Sequence, residues 1–123
     1  MSKQVVLKAK IQNANAGVLQ HALQNMAEHL NAQLMDVNKF NIWNSKTITA
    51  EGTVIKLPDS LYPVDVSIKN GGLQINGDEM DMANAKRKIE QFYKMTSIQQ
   101  QKQAEMEYDS NKKKLRLHIP EWN

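Results

Sequence analysis

The first stretch of the chain alternates. Between residues 3 and 11, Val5, Leu7, Ala9 and Ile11 are separated by Val6, Lys8 and Lys10, which predicts a strand with one buried face. The period then lengthens. Over residues 16–33, Leu19, Leu23, Met26 and Leu30, flanked by Val18, Ala22 and Leu34, fall on one stripe of a helix, with Asn13 and Asn15 in front of it as caps. Gly17 lies in the first turn, where it weakens a helix least. Residues 35–46, with Phe40, Ile42 and Trp43, are polar and show no clear period. Residues 47–51 and 53–57 are β-rich, interrupted by Gly52 and stopped by Pro58-Asp59.

The second half opens on the clearest local signal. Val64, Val66 and Ile68 alternate with Asp65, Ser67 and Lys69, then Asn70-Gly71 precedes Leu73 and Ile75, predicting a hairpin whose turn needs positive φ. Asn76-Gly77 reads as a second turn that closes it. Asp78 or Asp81 is placed to cap a helix with the stripe Met82, Ala85, Ile89, Phe92, Tyr93 and Thr96, a pattern that blurs through Gln99-Gln100-Gln101. A last hairpin is predicted from residues 104–108, a turn at 109–112, and residues 113–119. There Leu115, Leu117 and Ile119 face one way and Lys114, Arg116 and His118 the other. This order predicts one α+β domain over residues 1–123, a mostly antiparallel sheet with two helices packed on one face. No repeat at solenoid or propeller spacing is visible.

Composition narrows the class. The 123 residues are 41% hydrophobic and 24% charged, ordinary for a globular chain, so the mean hydropathy of -0.61 comes from neutral polar residues, among them twelve Asn and eleven Gln. Solvated faces are the expected place for most of them. The absence of cysteine excludes disulfides, thiolate metal sites and a cysteine nucleophile. Val5-Val6-Leu7 is too short for a signal-peptide core or a membrane span, so the expected compartment is the cytoplasm, with no membrane association. A net charge of +3 and a pI near 9.1 permit an acidic partner but fall short of a dedicated nucleic-acid binder.

Each chemical motif has a simpler explanation. His21 and His29 are eight residues apart on the first helix, whereas ligands on one helix favour spacings of three or four, so they are read as exposed histidines. Asp78, Glu79 and Asp81 stand where a helix start favours negative charge. Ser45, Ser60, Ser67, Ser97 and Ser110 have no nucleophile elbow around them, and Asn70-Gly71-Gly72 lacks the spacing of a phosphate or dinucleotide loop. No catalytic residue, metal site or cofactor is therefore expected. The basic set Lys112, Lys113, Lys114, Arg116 and His118 stands out, since alternation puts Lys114, Arg116 and His118 on one strand face. Such a face can meet phosphates, or it can be an edge kept soluble by charge. Trp43, Trp122, Phe40, Tyr62 and Tyr108 are either core or partner anchors, with Trp122 near the terminus the more exposed expectation.

The short Lys-bearing first strand, the Val-Asp-Val-Ser-Ile-Lys-Asn-Gly hairpin, the helix reaching Phe92-Tyr93 and the Lys-Lys-Leu-Arg-Leu-His-Ile strand before Trp122 together resemble a small family. That family was first seen as a conserved hypothetical reading frame of plastid and cyanobacterial genomes. The resemblance spans nearly the whole chain. It implies a stand-alone accessory domain, admits relatives in phage genomes, and transfers no catalytic or binding residue. The functional expectation is a non-enzymatic accessory or regulatory protein that docks on a protein partner through Lys114, Arg116, His118 and Trp122. The alternative is weak, sequence-tolerant nucleic-acid binding through the same basic strand face, and an enzyme of unknown class is third.

Overall fold

Alternation at the start of the chain becomes strand β1 (Gln4–Lys8), an edge of a five-stranded sheet in a computed structural model that describes residues 4–35, 39–42, 46–49, 52–80 and 82–120. Val5, Leu7, Ala9 and Ile11 turn toward the core, as predicted, and Val6 is left 49% exposed. Helix α1 (Ala16–Leu30) follows, its first turn capped by Asn15, whose side chain accepts from the Val18 N–H at 3.1 Å. The Asn15 N–H in turn donates to the Tyr93 hydroxyl at 2.8 Å, tying the helix start to the far half of the chain.

Helix α1 ends three residues earlier than the stripe predicted. Asn31 takes φ +59 and its N–H returns to the Met26 carbonyl, a left-handed cap that Asn tolerates. Leu34 thereby leaves the helix and becomes the middle of strand β2 (Gln33–Met35), 39% exposed at the opposite edge of the sheet. The stretch without a clear period, residues 35–46, takes part in strands: it holds the end of β2, all of β3 (Lys39–Ile42) and the start of β4 (Lys46–Thr49), where β3 and β4 pair as a separate ladder. Trp43 lies outside the described residues.

Strands β5 (Thr53–Lys56), β6 (Val64–Lys69) and β7 (Gly72–Asp78) complete the sheet in the order β1-β7-β6-β5-β2, every neighbour antiparallel. The β6–β7 turn is as predicted, with Asn70 at φ +53 and Gly71 at φ +81. Asn76-Gly77 is not a turn. The strand runs through it to Asp78, and Gly77 is small because a Cβ there would come within 2.9 Å of Val64 Cγ1 and 3.1 Å of Met82 Sδ. The other face of β6 is buried as well: Asp65 and Ser67 alternate with Val64 and Val66 and are both buried, and Asp65 accepts the Gly52 N–H at 2.9 Å.

Helix α2 (Met82–Lys102) buries the predicted stripe in full and carries the glutamine run inside it. Asp78 closes a turn by accepting from the Met80 N–H at 3.0 Å and does not cap the helix, while Asp81 lies outside the described residues. Both helices pack on one face of the sheet. Leu19, Leu23 and Met26 of α1 meet Ile89 and Phe92 of α2 over Ile55, Val66 and Ile75, and Asn25 bridges the helices by donating to Thr96 Oγ1 and Gln99 Oε1, each at 3.0 Å. The architecture is α+β. Four of the twelve asparagines have backbone roles and are exposed as well: Asn13, Asn31 and Asn70 hold left-handed φ, and Asn15 is a cap.

Candidate functional site

The last predicted hairpin forms, as β8 (Glu105–Asp109) and β9 (Lys114–His118), but as a two-stranded sheet of its own, apart from the five-stranded one. Its turn is built locally: Asp109 Oδ1 accepts from the N–H groups of Asn111 and Lys112 at 3.0 and 3.1 Å, and Lys113 takes φ +53. One face packs on the helices through Leu115, Met106 and Tyr108, whose ring lies 6.4 Å from that of Phe92 at a 38° tilt. Leu117 is half-buried, and Ile119, beyond the strand, is 51% exposed.

The outer face carries the three basic residues singled out above, all exposed. The register answers each with an acid: Lys114 faces Asp109, Arg116 faces Glu107 and His118 faces Glu105. His118 Nε2 also lies 2.6 Å from Glu107 Oε2. Such solvated pairs add little stability, yet they cancel the field a polyanion would need. Among the described residues β9 pairs with β8 alone, so its other edge offers unpaired backbone groups. Trp122, the fourth expected docking residue, lies outside the described residues.

Uncancelled positive charge sits elsewhere. Helix α2 carries Lys86, Arg87, Lys88, Lys94 and Lys102 against a single acid, Glu90, and within the described residues its only ion pair is Lys86 to Glu90 at 3.7 Å. Arg87 lies between two depressions. One, of about 530 Å³, runs toward β1 and includes Lys10 and Lys94; the other, of about 440 Å³, lies toward the β8–β9 turn. In the sequence Lys86, Arg87, Lys88 and Lys94 fall largely outside the apolar stripe of this helix. The legible signal was their density, three in a row at 86–88.

His21 Nδ1 donates to the Gly17 carbonyl, 2.9 Å away, while His29 lines the 440 Å³ cleft, so the two helical histidines serve different surroundings. Among the described residues no three His, Asp or Glu side chains are grouped to hold a metal ion, and no helix is long and apolar enough to cross a membrane. No family model, curated protein or solved structure matches the chain, so the resemblance to the plastid and cyanobacterial family rests on the sequence pattern alone.

Proposed function

We propose that this is a non-enzymatic accessory protein that docks on a protein partner by accepting an extended segment of it along the open edge of β9. The observation that carries the reading is that edge: a strand paired on one side only among the described residues, beside a face of alternating charge. Strand addition takes its affinity from main-chain hydrogen bonds and its register from side chains flanking the new strand. A face bearing Lys114, Arg116 and His118 against Asp109, Glu107 and Glu105 suits a partner strand of mixed charge better than a phosphate backbone, which supports a protein over a nucleic acid. Ile119, half exposed beside the strand, adds apolar area, and Trp122 two residues beyond Pro120 is the aromatic anchor of the reading. An accessory role is also what the plastid and cyanobacterial resemblance implies.

The test is quantitative capture of interacting protein from the native host with the full chain, with a chain ending at Pro120, and with Lys114→Glu/Arg116→Glu, all three checked for matching thermal unfolding in high salt. Loss of Trp122 is expected to weaken association by about 2 kcal/mol, and charge reversal to abolish it. Equal recovery of one partner by all three forms refutes the site. Recovery of no partner by the full chain refutes docking.

A further inference from the structure

At the C-terminal end of α1 a cleft of about 440 Å³ opens, where the turn after β5, the first turns of α2 and the β8–β9 turn converge. Its floor is apolar, from Leu30, Pro58 and the buried Leu57, and Tyr108 lines a wall with its ring fixed against Phe92. Its rim is basic. Arg87 and Lys88 come from α2 and Lys113 from the hairpin turn, against one carboxylate in the lining, Asp59. None of these cations is ion-paired among the described residues; Arg87 donates to Asn84 Oδ1, itself a lining atom's residue, at 3.0 Å. The lining takes residues from the first turns of α2 and from the last turn of α1, whose dipoles oppose one another there, so the positive field is that of the three basic side chains.

Size and chemistry together select the ligand. Small-molecule sites run to roughly 300–1,000 Å³, and this cleft falls within that range, well beyond what a free phosphate ion fills. An apolar floor with an aromatic wall takes a planar ring, and a cationic rim takes an anion. The geometry points to a binding site for a ring-bearing monophosphate of the nucleotide class, its phosphate held by Arg87, Lys88 and Lys113, its ring on Tyr108 and Leu57, and a ring amino group offered Asp59 as acceptor. The site uses residues distinct from the open β9 edge, so an accessory protein of this kind binds its partner and its small molecule independently.

The experiment titrates adenosine monophosphate, adenosine and inorganic phosphate separately into the isotope-labelled full chain and follows backbone amide shifts at low and moderate salt. Adenosine monophosphate is expected to saturate with a sub-millimolar Kd, to shift the amides of Leu57 and Asp59 and those at 84–88 and 108–113, and to bind more weakly as salt rises. Arg87→Ala and Lys113→Asn should each weaken it about tenfold, the loss of one charge-assisted phosphate contact. Both residues are exposed, and Asn tolerates the left-handed φ of position 113, so the fold survives both changes. Lys94→Ala, outside the cleft, should leave the Kd unchanged. Inorganic phosphate binding as tightly as the nucleotide would reduce the cleft to a simple anion site and overturn the assignment. Absence of a saturable shift, shifts confined to the outer face of α2, or equal affinity in the Arg87→Ala and Lys113→Asn variants would overturn it as well.

Discussion

Two hairpins, β6–β7 and β8–β9, are built by the same local rules. Each turns at left-handed residues, Asn70 and Gly71 in one and Lys113 in the other, and each directs aliphatic side chains to the common core. Their surroundings differ. The first is flanked on both edges, by β5 and β1, and is buried even on its polar side, where Asp65 takes the Gly52 N–H. The second is flanked on neither edge among the described residues, and its polar side holds three acids and three bases facing one another, all exposed but the half-buried Asp109. A hairpin enclosed on all sides has its energy in packing, whereas one enclosed on a single face keeps its edges and charges available for binding.

The largest expected difference is at the junction of β5 with β6. A Cβ on Gly52 would lie 2.0 Å from the Val66 carbonyl oxygen and 2.9 Å from Ser67 Cα, backbone atoms that cannot step aside. Gly52→Ala should therefore destabilise the fold by about 3 kcal/mol or more, measured by chemical denaturation; a change under 1 kcal/mol, roughly the size of a surface effect, would show that β5 does not press on β6. Next come the aliphatic rows. Ile75, fully buried in β7, should lose about 2–5 kcal/mol on change to Ala, and half-buried Leu117 in β9 about 1 kcal/mol. Equal losses at the two positions would mean that the hairpins are equally enclosed.

The turns set a smaller contrast of opposite sign. Gly71→Val, at φ +81 with nothing within 4 Å of a new Cβ, should cost about 1 kcal/mol from backbone strain alone. Lys113→Gly, at φ +53, should raise stability by roughly 0.5 kcal/mol, as relief of the left-handed strain outweighs the freedom gained by the unfolded chain. A shift of the same sign at both turns would contradict this reading of their geometry. The smallest effect is electrostatic. Lys114→Glu/Arg116→Glu sets like charges against Asp109 and Glu107 and should lower the thermal midpoint slightly in low salt and not at all in high salt. A salt-independent loss would place these side chains in packing rather than in solvent.

Local pattern reached further for elements than for their neighbours. The α2 stripe, the Asn70-Gly71 turn, the Asn15 cap and the alternation of β1 follow from spacing and side-chain chemistry over a few residues, and each is present. The reading failed where a residue serves two roles. Gly77 carries a turn signature but is small for the sake of Val64 and Met82, contacts thirteen and five residues away along the chain. Leu34 continues a helical stripe that Asn31 has already ended. The candidate site was half legible in the same way: the alternation of Lys114, Arg116 and His118 was visible, and the acids of β8 that answer them appear only once the register is known.

Periodicity, turn residues and caps are properties of neighbouring residues, so the chain's own order settled the two helices, most strands and the α+β class. The strand order β1-β7-β6-β5-β2, the separation of β8–β9 from it, and the convergence of Arg87, Lys88 and Lys113 on one cleft were decided by the folded arrangement. Those features join residues far apart in the chain, through packing energies that no window of sequence contains.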